Sequence, residues 1–344
     1  MRDKIKILVV DDSAFMRLLI ADLLSKDESI EVVGTANDGK QGVAETIRLK
    51  PDLVLLDMNM GEFDGLYAVE QIMKKSPRPI LILSSVGNTN LNSIFDALRL
   101  GAVDYINKPK KGSSKVREIG DELIQRVKKV AGAKAISTKI IENGLSSLDH
   151  TFDRNSDYDV IAIGASTGGP TAVEKIITSL PANLNVPVII CQHMPASFIA
   201  SFANRLDHLS ALRVVVCSDG MRIEPGMIII ASGTGNMVVK KKANIYKVGF
   251  TAKKYKEYNN PSINAMLDSV ADCYGKRAIG VILTGMGKDG VIGLKAIREK
   301  GGKTIAQDEA SSTIYGMPKK AFETGAAEVV LNIKEIGGYL VNCL

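Results

Sequence analysis

The run Asp159-Val160-Ile161-Ala162-Ile163-Gly164-Ala165-Ser166-Thr167-Gly168-Gly169-Pro170 sets a serine where it can do chemistry. An apolar, β-branched stretch ends at a serine ringed by small residues, and Pro170 opens a helical pattern. A serine on such a turn is pushed out of the backbone, with room left for a substrate. The Gly164 to Gly168 spacing, G-x-S-x-G, is that of a nucleophile elbow. A Gly-rich turn that only joins strand to helix, or cradles a phosphate, reads the same way on its own. The serine therefore needs a partner before the spacing carries weight.

That partner is a base, and the chain has three histidines. His150 lies in a Ser/Asp-rich segment without periodicity, and His208 sits on a surface-like helix end. His193 instead follows the apolar run Val186-Pro187-Val188-Ile189-Ile190-Cys191, a buried parallel strand that Met194-Pro195 breaks. It shares with Ser166 the carboxyl end of a strand, the edge where open α/β sheets bind ligands. A third apolar run, Ala278 to Thr284, leads into Gly285-Met286-Gly287-Lys288-Asp289-Gly290. Asp289 is the acid best placed to orient an imidazole and stabilise its charged form. The alternative is that Asp289 caps the helix starting near Val291, and one side chain cannot easily do both. Three triad residue types at three strand ends say more than any one of them. The order Ser, His, Asp departs from the Ser, Asp, His order of α/β-hydrolases.

A second group of polar residues has different chemistry. Asp11 and Asp12 end the first strand, Asp57 ends the strand Leu53-Val54-Leu55-Leu56, and Lys108 follows Val103-Asp104-Tyr105-Ile106. Carboxylates gathered at one sheet edge repel unless a cation joins them, and Mg²⁺ suits an all-oxygen site. A neighbouring lysine could pair with a phosphoryl group carried by one carboxylate. Singly, the aspartates could be caps or turn residues and Lys108 a surface charge.

These groups must be positioned by two α/β layers. Residues 5 to about 130 alternate strand and helix patterns, with strands at Ile5–Val10, Val32–Ala36, Leu53–Leu56, Ile80–Leu83 and Ala102–Ile106. That predicts a doubly wound parallel (βα)5 domain over 1–130. Residues 131–157 lose the rhythm and read as a linker. It returns over 158–344, predicting a doubly wound, mostly parallel α/β domain. Within it, residues 213–250 carry four short strand patterns that read as β-hairpin material.

Composition narrows the function. The chain has 344 residues, 45% hydrophobic and 24% charged, as in ordinary soluble globular proteins. No apolar run approaches the roughly 20 residues that span a bilayer, and the charged start leading into a short strand is no signal peptide. The cysteines at 191, 217, 273 and 343 lack metal or redox spacing, which fits a reducing cytoplasm. Net charge is +6, but the lysines are scattered, aromatics are 5% and tryptophan is absent, so nucleic-acid stacking is poorly supported. The small lysine clusters read as solvated loops and hairpin edges. A DNA-binding output module would be a smaller helical unit. A dinucleotide fold would want a second glycine where Ser166 stands, and a P-loop a Gly-Lys-Ser/Thr end.

Asp11-Asp12-Ser13, Asp57 with Met60 and Asp64-Gly65, Ser84-Ser85, and Asp104 to Pro109 resemble a response-regulator receiver domain. Gly164 to Gly169, Gln192-His193-Met194-Pro195, Leu283 to Gly290, Gln307-Asp308-Glu309 and Tyr315 to Pro318 resemble the catalytic domain of the chemotaxis protein-glutamate methylesterases. The two resemblances cover nearly the whole chain. They imply a cytoplasmic, phosphorylation-regulated serine hydrolase that removes methyl groups from glutamate γ-esters on methyl-accepting chemotaxis receptors. Many members of the family also deamidate receptor glutamines. By the same resemblance Ser166 is the nucleophile, His193 the base and Asp289 its orienter, with Thr167 and Met286 as backbone oxyanion donors. Asp57 is then the phosphoacceptor, fed by a chemotaxis histidine kinase, and Asp11, Asp12 and Asp57 hold Mg²⁺. Lys108 is the phosphate partner, and Ser84 and Tyr105 form the switch pair. The ester step is expected to need no cofactor, and the chain to be a monomer without nucleic-acid or membrane-inserting function. Four positions depart from the family pattern: Gly61 for a proline, Ser232 within Ala231-Ser232-Gly233 for a proline, Asn236 for a histidine and Asn260 for an arginine.

Overall fold

The computed structural model describes residues 4–84, 91–108, 116–133 and 157–344. The chain divides into two compact units, Met1–Glu142 and Asn143–Leu344. Most of the expected linker, together with His150, Ser85 and Pro109, lies outside the described residues.

The first unit is one five-stranded sheet. Its strands are β1 (Ile5–Val10), β2 (Ile30–Ala36), β3 (Leu53–Asp57), β4 (Ile80–Ser84) and β5 (Asp104–Asn107). They pair in the order β2-β1-β3-β4-β5, all parallel. Apolar residues run without alternation through β3 and β4 because helices cover both faces of a parallel sheet. Ile7, Val9, Ile20, Leu53, Leu55 and Leu81 share one core cluster. The order in which strands are added reverses about β1, so the crevice between the ends of β1 and β3 is the switch point where such sheets take ligands. The helix after β1 begins at Ala14, capped by Ser13 and not by Asp11 or Asp12.

The second unit holds β6 (Val160–Ala165), β7 (Val188–Gln192), β8 (Arg213–Val216), β9 (Met227–Ile230), β10 (Asn236–Lys242), β11 (Ile245–Thr251), β12 (Ala278–Ile282), β13 (Lys303–Gln307) and β14 (Val329–Leu331). Seven of them form a sheet in the order β14-β13-β12-β6-β7-β9-β8. Every described pairing in that sheet is parallel. The expectation of hairpin material over 213–250 is half right. β8 and β9 are parallel strands at the sheet's edge, and only β10 and β11 pair antiparallel, as a separate two-stranded sheet. The β-branched composition is alike in both places. What separates them is connection length, since Ala243-Asn244, both at positive φ, make the tight turn that β8 and β9 lack.

β6 is the pivot, with β7 on one side and β12 on the other. Ala165 stands opposite Gln192, and Gly164 opposite Ile282. The residues that follow these three strands therefore emerge side by side at one edge. Below them Ala162, Ile189, Ile263, Met266, Leu267 and Ile282 belong to the main core cluster.

Candidate active site and acidic cluster

Register delivers the three residues singled out in the second unit. The His193 N–H donates to Ala165 O at 2.9 Å, and the Ser166 N–H donates to Thr284 O at 3.1 Å. The loops after β6, β7 and β12 are thus stitched together by backbone before any side chain is considered. Helix Gly169–Ile177 starts directly behind the serine, with Gly168 as its N-cap and Pro170 in its first turn. On the other side Gly285 passes so close that a Cβ there would fall 2.6 Å from Ser166 Cβ. Any larger residue there would force the serine loop to shift.

The side chains then meet. His193 Nδ1 lies 3.2 Å from Ser166 Oγ, and His193 Nε2 lies 2.8 Å from Asp289 Oδ2. A carboxylate can only accept, so the nitrogen facing it carries the proton and Nδ1 offers its lone pair to the serine hydroxyl. The ring nitrogens have the reverse roles of those in the chymotrypsin arrangement. The His193 side chain is 6% exposed and that of Asp289 2%, which removes the competing hydrogen bonds of water.

Asp289 does not cap its own helix, whose N-cap is Gly290. It sits instead at the N-terminus of another helix, Ile263–Tyr274. The backbone N–H groups of Ile263 and Asn264 donate to it at 2.7 and 3.0 Å, and that of Gly290 at 3.0 Å. The Ser262 hydroxyl, N-cap of that helix, donates at 3.3 Å. The helix near Val291 is left to Gly290, and Asp289 meets the imidazole while also accepting first-turn N–H groups of a different helix, whose N-cap is Ser262. Three donors meet Oδ1 while Oδ2 takes the Ile263 N–H and His193. A helix N-terminus favours an anion in this position.

Gln192 is also buried, and its Nε2 donates to Ser166 O at 2.9 Å and His193 O at 3.1 Å, tying the two loops together. Thr167 is buried, whereas Met286 is 42% exposed in the loop after β12. Burial pushes the Cys191 thiol well above its ordinary value, with the Asp289 charge adding to the effect, so this neighbour stays a neutral thiol. Cys217 is raised by burial in the same way. His208, at the end of helix Ala196–Leu209, contacts its own helix at Asn204 O and takes no part.

Two contributors escaped the sequence reading. Tyr258 stacks on the His193 ring, with centroids 3.9 Å apart and planes 21° apart. Nothing in the spacing links these residues, because the contact depends on how the loop between β11 and the next helix folds back. Asn236 braces that loop. Its Nδ2 donates to Lys253 O at 3.0 Å and Asn259 Oδ1 at 2.9 Å, while its Oδ1 accepts from the Asn260 N–H at 2.8 Å.

The first unit assembles the other expected cluster. Carboxylate oxygens of Asp11, Asp12 and Asp57 lie within 4.8 Å of one another. Lys108 Nζ stands 2.7 Å from Asp11 and 2.8 Å from Asp57. Burial drives the Asp57 carboxyl above its ordinary value, and it outweighs the opposing pull of Lys108. Ser84 Oγ and Tyr105 are buried, and Ser84 Oγ has no hydrogen-bond partner among the described residues. Gly61, one of the departures, takes φ of 70°, which proline's fixed negative φ cannot adopt.

The pattern of the CheB methylesterase family matches residues 161–340, and that of the response regulator receiver domain matches residues 7–119. A protein-glutamate methylesterase/protein-glutamine glutaminase of Archaeoglobus fulgidus is 37% identical, over 98% of each chain. The chain belongs to the CheB methylesterase family. A second relative in that family, from Methanosarcina mazei, is 39% identical over 98% of this chain and 95% of its own. The crystal structure of the Thermotoga maritima CheB methylesterase catalytic domain matches 54% of this chain and 99% of that one, at 36% identity and a TM-score of 0.53. This CheB-family chain is therefore a hydrolase with an N-terminal receiver domain. No described helix is long and apolar enough to cross a membrane.

Proposed function

We propose that this protein hydrolyses glutamate γ-methyl esters, and deamidates glutamines, on chemotaxis receptors through Ser166, His193 and Asp289. The observation that carries the reading is the unbroken chain of contacts from Ser166 Oγ through both nitrogens of His193 to a carboxylate held by four further donors. The names and full-length identity of the relatives support the substrate class.

The reaction follows from the geometry. Ser166 Oγ bonds to the ester carbonyl carbon as its proton passes to His193 Nδ1. The Nε2 proton stays on the ring and is donated to Asp289, whose carboxylate stabilises the imidazolium. The carbonyl oxygen becomes an oxyanion, and the backbone N–H groups of Thr167 and Met286 are the proposed donors to it. The C–O bond to methoxide then breaks, and the Nδ1 proton leaves with it as methanol. Water repeats the sequence on the acyl-serine, freeing glutamate and restoring Ser166. A glutamine substrate loses ammonia at the same step.

In the first unit Asp57 is the proposed phosphoacceptor, with a histidine kinase as donor. Three hard carboxylate donors at one edge fit Mg²⁺, and Asp11, Asp12 and Asp57 would hold it. When bound, the ion neutralises the incoming phosphoryl group. Lys108 already lies on Asp57, and the Ser84 hydroxyl, without a partner among the described residues, is a ready donor to a phosphoryl oxygen. A tethered receiver has an effective concentration of order millimolar, so even a weak contact would restrain the hydrolase until phosphorylation changed it.

The deciding measurement is methanol release from methylated receptor fragments. Folded Ser166→Ala or His193→Ala protein should lose on the order of 10⁶ in turnover. Turnover near wild type in either variant would sink the assignment. Intact mass with a small phosphodonor should show one phosphoryl group on wild type and none on Asp57→Asn. Removing residues 1 to about 150 should raise basal activity on receptor, and an unchanged rate would argue against inhibition by the receiver.

A further inference from the structure

Among the contacts described to the His193 ring, the one with Tyr258 has no part in the reaction as derived. The residue is 44% exposed, an expensive place to leave an aromatic side chain unless one face of it is used. That inner face lies flat against the imidazole, 3.9 Å between centroids. Its neighbours in the chain are pinned. Asn259 Oδ1 accepts from the Tyr255 N–H at 2.9 Å, Asn259 Nδ2 donates to Tyr255 O at 2.6 Å, and the Asn260 N–H is held by Asn236. On the other side Glu257 accepts from Asn264 Nδ2 at 3.5 Å and lies 3.8 Å from Lys288 Nζ. Asn264 is in the same helix first turn that holds Asp289. The loop that brings the tyrosine and the helix that fixes the carboxylate are one continuous segment.

An imidazole held only by two edge contacts, at 3.2 and 2.8 Å, can still tilt about its Cβ–Cγ bond. Tilting carries Nδ1 away from Ser166 and Nε2 away from Asp289 at once. A flat aromatic face sets the remaining degree of freedom. It also presents π density to the positive charge that the ring acquires while it holds the serine proton. Ser166, Asp289 and Tyr258 meet the imidazole directly, and the Glu257–Lys288 pair stands beside the tyrosine.

We propose that Tyr258 is a positioning residue that locks the His193 ring plane and supports the imidazolium formed during turnover. The proposal rests on the triad reading above. Its test uses the full chain as Tyr258→Phe and Tyr258→Leu, assayed on a small soluble glutamate γ-methyl ester. Leucine keeps apolar cover and removes the ring. We expect kcat to fall about tenfold in Tyr258→Leu with KM little changed, and Tyr258→Phe to stay within about twofold of wild type. The chain's three histidines make the second readout clean. Imidazole ¹⁵N spectra should show one Nε2–H tautomer at His193 in wild type and Tyr258→Phe, and averaging of the two ring nitrogens in Tyr258→Leu. The spectrum needs no turnover, so it separates this proposal from the triad reading, which instead fails if His193→Ala stays active. Unchanged kcat and spectrum in Tyr258→Leu would overturn the proposal. So would a Tyr258→Phe variant as impaired as the leucine, because the hydroxyl and not the ring would then matter.

Discussion

The two sites share an architecture and differ in how far their charges are satisfied. Each lies at the carboxyl edge of a parallel sheet, at the strand where the winding reverses. In the second unit the buried carboxylate of Asp289 meets five donors and has its partner imidazole fixed on both nitrogens. In the first unit three carboxylates cluster, Lys108 pairs with two of them, Asp11 and Asp57, and a buried serine hydroxyl has no partner among the described residues. The first arrangement is complete and should not move during reaction, which is what electrostatic preorganisation requires. The second is incomplete and should change when a cation or phosphoryl group arrives, which is what a switch requires. The same sheet edge serves both ends because the flanking loops set the balance of donors and charges.

The sharpest way to break this comparison is to unbalance the complete site. Asp289→Asn keeps the shape but replaces one acceptor oxygen with an amide. Whichever oxygen is lost, the amide then faces either the helix N–H groups or His193, donor against donor. The imidazole loses its tautomer lock, and turnover should fall on the order of 10⁴, with His193→Ala in the same background adding little. Methanol release from the single and double variants checks this. A loss of less than about tenfold would mean that Asp289 serves the helix and not the chemistry.

A second perturbation leaves every charge in place. Adding a Cβ at Gly285 puts it 2.6 Å from Ser166 Cβ and 2.6 Å from Met317 Sδ. The methionine end can swing away, but the serine Cβ is fixed to the stitched backbone. Gly285→Ala should therefore cost about 10²-fold in kcat, the usual effect of a displaced reacting group, with a smaller loss of stability. Equal losses in kcat and in chemical-denaturation midpoint would point to general damage. Phosphorylation of Asp57 in the same variant should be unchanged.

How much of this was readable beforehand follows a physical division. Ser166, His193, Asp57 and Lys108 directly follow or end strands, so a local apolar run with a polar terminus was enough to find them. Asp289 was found by its loop, but its second task was hidden, since the helix whose first N–H groups it accepts begins 26 residues earlier in the chain. Tyr258 and Asn236 were missed as contributors to the site, because their roles come from a loop that folds back and period-2 or period-3.6 patterns say nothing about it. The sheet order was legible only as a class. β8 and β9 looked like a hairpin because strand composition does not encode direction, and the edge position was decided by the connection between them. Asn236, one of the departures from the family pattern, turned out to be a structural brace, and its three hydrogen bonds explain why an amide is tolerated there.

The incomplete site can be sharpened by supplying what it lacks. Mg²⁺ should protect the first unit and leave the second unaffected, by mass action on the folded cluster. At 100 times its dissociation constant a ligand adds about 2.7 kcal/mol. Peptide-resolved hydrogen exchange reads the two units separately in the full chain. Protection should rise around β1, β3 and β5 and should vanish in Asp12→Asn, whose exposed side chain can be changed without a packing cost. Protection in the second unit as well would mean that the ion acts elsewhere.

The smallest expected effect is the cost of the unmet charge itself. Burial raises the Asp57 carboxyl above its ordinary 3.8 even with Lys108 beside it. The native state thus binds this proton more tightly than the unfolded chain. Stability from the group is complete below pH 3.8 and is lost as pH rises through the raised native value. Above that window the ionised carboxylate is a standing penalty on the first unit, the price of keeping a buried nucleophilic oxygen ready for phosphoryl transfer. Asp57→Asn does not titrate, so its stability relative to wild type should climb with pH across the window and then level off. Urea titrations with the same peptide-resolved exchange, at a series of pH values and without Mg²⁺, follow that difference. A difference that is flat with pH, or that falls, would mean that Lys108 fully compensates the burial. The first site would then be as balanced as the second, and the contrast between switch and catalyst would have to rest on something other than charge.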